Sequence, residues 1–194
     1  MTKEILLIAR WHGRVIEAGT RLLSTATFDN SRFATGRNAL EDDIFSFADL
    51  EEEALVQVID VLHDFCFFLR KVIERAGVVD LAKSLVPHLE TRATLVHDGR
   101  TTERAIELND KSLWWWLGRV IHSESVYLLD GGQTSTLSYA DGKTRDFTVS
   151  REYVLVASDF DREHGADYVL HIPSLVRCFV SSGLRSRIDR IIAG

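Results

Sequence analysis

The chain has 194 residues, 45% of them hydrophobic and 27% charged. That is enough for one large domain, or a domain with a smaller appendage, and too apolar for wholesale disorder. A net charge of −6 excludes a general nucleic-acid coat protein, so any contact with nucleic acid has to be local.

In chain order, residues 3 to 24 read as a first helix, because Ile5, Ile8, Val15, Ile16, Leu22 and Leu23 recur at helical period. Residues 25 to 48 are polar and irregular and read as a loop with room for one short helix. Asp49 is a plausible N-cap for the clearest element, with Glu51, Glu52 and Glu53 in its first turn. Val58, Leu62, Phe65, Cys66, Leu69, Val72 and Ile73 form its apolar stripe, and Gly77 is the expected C-cap. A third helix is predicted over residues 79 to 97, kinked or restarted at Pro87 and ended by Gly99. A fourth, capped by Asn109, Asp110 or Ser112, carries Trp114, Trp115, Trp116, Leu117, Val120 and Ile121.

After Ser125 the apolar period changes from 3.6 to 2, and a short strand is expected over residues 126 to 129. Residues 134 to 139 and 145 to 149 flank Asp141-Gly142, a strong short-range hairpin signal. Residues 153 to 157 and 168 to 172 read as two further strands. Pro173 then suits the first turn of a helix, and residues 184 to 193 form a short closing helix. The expected fold is α+β, with an N-terminal helical bundle over residues 1 to 124. A small antiparallel β-sheet and C-terminal helices over residues 125 to 194 are expected to pack on it.

The two cysteines, Cys66 and Cys178, form neither a CxxC pair nor a zinc-spaced cluster. They read as reduced thiols in a reducing compartment. The apolar run from Ile5 to Ala9 is too short for a signal sequence, and Arg10 closes it. No stretch reaches the ~18 apolar residues that cross a bilayer. A soluble, cytoplasmic protein that meets no membrane is expected.

Arg92 and His97 carry the most chemistry. Histidine can take the proton of a ribose 2′-hydroxyl or give one to a leaving oxygen, and arginine can hold a phosphate bidentately. At a helix C-terminus the dipole would favour the imidazolium of His97. On a continuous helix five residues leave the two side chains about 140° apart. They converge only if the helix ends or bends between them, or if two subunits share the site. Arg119 and His122 are three apart, share a helix face, and form a rival pair.

Three consecutive tryptophans span about 200° of helix, so Trp114, Trp115 and Trp116 cannot all face one core. They mark a helix buried on two sides, or an oligomer interface, or a platform for bases. Arg177, Arg185, Arg187 and Arg190 make a local basic cluster that could contact phosphates. Between Asn38 and Leu69 stand nine carboxylates and no Lys or Arg, a face suited to solvent or to a basic partner. Asp159, Asp161 and His164 fall in a polar loop, but His164 stands where a calcium-binding loop needs glycine. Gly142-Lys143-Thr144 mimics the end of a phosphate loop, yet Leu137 holds the required first glycine position.

The Arg-x4-His pair of Arg92 and His97, ending Leu95-Val96-His97, resembles the motif of the HEPN superfamily. The run Arg119-Val120-Ile121-His122 looks like the helix end of some HEPN-like bacterial proteins. The resemblance spans at most residues 3 to 125. It implies a dimeric helical bundle and a metal-independent endoribonuclease of toxin or abortive-infection type, needing no cofactor. Arg92 would hold the scissile phosphate of an RNA substrate, with His97 or His122 as general acid or base. Arg119, Arg185 and Arg187 would help bind the substrate, and a basic antitoxin-like protein would be the partner. The other reading is a non-enzymatic interaction or oligomerisation protein.

Overall fold

The computed structural model describes residues 2–26, 47–87, 93–97, 100–106, 111–128, 134–138, 144–148, 153–157 and 168–194. Most of these are helical. Two long helices, α1 (Lys3–Ala26) and α2 (Phe47–Arg75), form the frame. Glu4 Oε1 lies 3.9 Å from Arg75 Nη1 at one end, and Gly19 meets the Phe65 ring further along, so the pair runs antiparallel. The apolar stripes read from sequence are what they bury: Ile8, Val15 and Leu22 on α1, and Val58, Leu62, Phe65, Leu69, Val72 and Ile73 on α2. Gly77 ends α2 with a φ of +67°, a left-handed geometry that costs glycine nothing.

The expected third helix is corrected. A short helix, α3 (Val79–Ser84), stops at Leu85, whose backbone is extended (φ −92°, ψ 131°). Residues Ala93–His97 form strand β1, which pairs antiparallel with β2 (Arg100–Ile106). The physical reason lies in the sequence. Pro87 cannot continue a helix, and β-branched Thr94, Val96, Thr101 and Thr102 suit a strand better than a helix. Asp98-Gly99, between the paired residues His97 and Arg100, is the dipeptide that favours a two-residue hairpin connection.

Helix α4 (Leu113–Ile121) follows. Then come short strands β3 (Ser125–Leu128), β4 (Thr134–Ser138), β5 (Thr144–Thr148), β6 (Tyr153–Ala157) and β7 (Tyr168–His171). Among the described residues they do not join into the one sheet expected: β1 pairs with β2, β4 with β5, and β3-β6-β7 follow in that order, all antiparallel. Register sets Val154 opposite Leu170 and Val156 opposite Tyr168. Val154, Val156 and Leu170 are fully buried, so that face of the β6–β7 ladder looks into the core and Tyr168 shares it.

Two helices close the chain. Helix α5 (Ile172–Ser181) begins with Pro173 in its first turn, as the proline predicts. Helix α6 (Leu184–Ala193) follows a sharp turn at Gly183. Both α5 and α6 pack on α1. One buried cluster therefore runs from α1 and α2 through α4 and the β6–β7 ladder to α5 and α6. This core crosses residue 124, where the two expected units were divided. Among the described residues no helix is long and apolar enough to cross a membrane. The expected loop over residues 25 to 48, the Asp141-Gly142 turn and the polar loop of residues 158–167 lie mostly or wholly outside the described residues.

Candidate functional site

Helix α4 gathers more of the expected site residues than any other element. Ser112 starts it. Its extended backbone and its Oγ, which accepts from the Trp115 N–H at 3.2 Å, make an N-cap. His122 ends it, donating its backbone N–H to the Gly118 carbonyl at 3.0 Å. The three tryptophans divide as their 100° spacing demands. Trp116 is fully buried, while Trp114 and Trp115 are half-buried. They form the joint between α2, α4 and β7, so most of their surface is spent inside the molecule.

What they leave at the surface is a strip of cations on aromatic rings. The Arg70 guanidinium of α2 lies 4.5 Å from the Trp114 ring centre. Gly118 makes room for it, since a Cβ there would fall 2.6 Å from Arg70 Nη1. Lys111 Nζ sits 5.9 Å from the Trp115 ring. Arg119 is held in a corner. Its Cζ is 4.8 Å from the Trp115 ring and 5.0 Å from Tyr168, and those two rings lie 4.8 Å apart at 62°. Each such contact is worth about 0.5–1 kcal/mol at a wet surface and more when desolvated. Two rings therefore limit where the Arg119 plane can turn. His122 follows one turn later and is exposed.

Part of this charge is already met. Arg70 Nε lies 3.3 Å from Glu74 Oε1, and Lys71 Nζ lies 3.1 Å from Glu74 Oε2. Partial burial pushes the Glu74 carboxyl up, but hydrogen bonds from Lys71 and Arg70 outweigh it and hold the group below its ordinary value.

The other expected site residues lie elsewhere. Arg92 is outside the described residues. His97 is the last residue of β1, in register with Arg100, so it does not sit at the helix end that the Arg-x4-His reading requires. Arg185 lies on α6, with Nε 3.8 Å from Asp189 Oδ2, and Arg187 is exposed on the same helix. Helix α6 packs on α1 and α5, whereas α4 packs on α2 and α3. The two arginines are thus not gathered with Arg119 and His122. Asp159, Asp161 and His164 are outside the described residues. Among the described residues no three His, Cys, Asp or Glu side chains come together as a metal site would need.

Sequence reasoning missed Arg70, Lys111 and Tyr168. The i, i+4 spacing of Lys111, Trp115 and Arg119 was readable. Arg70 and Tyr168 reach the strip only through tertiary packing, which no local pattern carries. Comparisons with known protein families, with curated protein sequences and with solved structures returned no match.

Proposed function

We propose that the protein binds single-stranded RNA along α4 and cleaves it without a metal, as a toxin-like endoribonuclease would. Arg119 holds the scissile phosphate through its N–H edge. His122 takes the proton of the adjacent 2′-hydroxyl, and the 2′-oxygen attacks phosphorus. The 5′-oxygen leaves and takes a proton from water, giving a 2′,3′-cyclic phosphate and a 5′-hydroxyl. One observation carries this reading: an arginine oriented by two aromatic rings stands one helical turn from an exposed histidine. A fixed guanidinium can meet a phosphate without losing further side-chain entropy, and histidine is the side chain whose ordinary titration lies nearest neutrality.

The test is cleavage of a labelled single-stranded RNA in excess EDTA. Wild type should cleave, and His122→Ala should lose about 100-fold or more, the usual weight of one general acid or base. Arg119→Ala should lose a comparable factor, and His97→Ala should keep full rate. Inert wild type, or a His122→Ala variant as fast as wild type, would sink the reading.

A second reading rests on α2. Val56 and Phe67 are 48% and 44% exposed, and Asp60 and Asp64 are exposed between them. An acidic helix face with apolar side chains on it suits a basic, amphipathic protein partner. A stoichiometric basic protein bound to α2, with no RNA cleavage, would favour this reading over the first.

A further inference from the structure

The C-terminal helix α6 meets α1 at one buried histidine. His12 is 8% exposed. Its ring stands edge-on to Phe179 of α5, with centroids 6.0 Å apart at 73°. Its Nδ1 lies 3.6 Å from Oδ1 of Asp189 on α6, close enough for ionic attraction and too long for a good hydrogen bond. Its Nε2 is buried with no hydrogen-bond partner. A neutral ring suits this setting, with its one N–H turned to Asp189 and a bare lone pair at Nε2. A protonated ring does not, because the second N–H would be buried unpaired.

Among the described residues, the charged groups that act on His12 are Asp189 and Arg185, both on α6. Asp189 attracts the imidazolium, but its side chain is half exposed to water. Arg185 repels it. Helix α5 contributes the Phe179 ring. One turn away on α1 stand Ile8, Ala9, Val15 and Ile16, all uncharged. Burial is the largest influence and exceeds the pull of Asp189, so His12 is held below the ordinary histidine range. Helix α6 is also short. It has ten residues, fully buries Leu184 and Ile188, packs Ile191 and Ile192 partly against the core, and has no side-chain cap hydrogen bond among the described residues. Short helices with few fully buried side chains can open locally without global unfolding.

We propose that α6 is an acid-released helix: protonation of His12 undocks it from α1 and uncovers the apolar surface of Leu184, Ile188 and Phe179. The sign follows from linkage. The released state, with His12 in water, binds the proton more readily than the docked state. Docking is therefore at full strength above the ordinary histidine value. It weakens as pH falls below that value, until the docked ring also titrates.

Hydrogen exchange on the full chain tests this, comparing α6 amides in wild type and His12→Phe at about pH 7.5 and about pH 5. The ratio of wild-type to variant exchange cancels the intrinsic pH dependence. It should rise by at least about threefold on acidification. His12→Gln, neutral and polar, serves as a second comparison should the phenylalanine pack badly. In the wild type the His12 ring resonances should titrate together with the α6 amides, below the ordinary histidine midpoint. An exchange ratio unchanged between the two pH values, or a His12 that titrates normally while α6 stays protected, overturns the proposal.

Discussion

Trp116 and Arg119 occupy one helix three residues apart and meet opposite environments. Trp116 is sealed in the core with its indole N–H unpartnered. Arg119 lies half-exposed in the corner of Trp115 and Tyr168. The contrast predicts different outcomes for two substitutions at the buried position. Trp116→Ala removes a large side chain from a closed core and should cost about 3–5 kcal/mol. Trp116→Phe keeps an aromatic ring and deletes a buried donor that has no acceptor, so it should cost much less. Denaturant midpoints for the two variants would check this, and equal losses would mean that the indole N–H has a partner.

At the scale of the element, α4 depends on its start. Ser112 caps the helix that carries Lys111's neighbour Trp115, Arg119 and His122. Ser112→Ala should cost about 1 kcal/mol, read as a fall in thermal midpoint, with the proposed RNA binding weakened but present. Helices were the legible part of this chain. Their stripes, Gly77 and Pro173 act through local backbone geometry, which a sequence states directly, whereas the fold chose Ser112 from the three cap candidates Asn109, Asp110 and Ser112. β1 was not legible in the same way. The apolar residues of the 79–97 stretch continue the helical rhythm of α3, while Asp98-Gly99 and the β-branched residues beside it favour a hairpin. Helical period and strand propensity competed, and the strand prevailed because it is stabilised by pairing with β2. The same limit applies to the site. Arg119 and His122 share a helix and could be paired from spacing alone. Arg70 and Tyr168 come from α2 and β7, so only the folded chain joins them to the strip.

Over the whole molecule, one core ties the N-terminal helices to the C-terminal ones, and the net charge of −6 sets the terms for any anionic ligand. In the proposed function, RNA would reach a short cationic strip against a field that repels it at long range. Binding should therefore be modest, and it should respond to salt through few phosphates. In the proposed function Lys111 and Arg119 each meet one phosphate, about two contacts in all. For single strands that gives a slope of log affinity against log salt near about −1.4. The central claim is that RNA is held on α4 rather than on the arginines of α6. Fluorescence anisotropy with a labelled single-stranded RNA tests it directly, comparing wild type, Arg119→Ala and Arg187→Ala across a salt series. The account predicts that Arg119→Ala weakens binding about tenfold or more and lowers the salt slope by roughly one phosphate's share, with Arg187→Ala matching wild type. Loss of binding in Arg187→Ala with Arg119→Ala unaffected would contradict it.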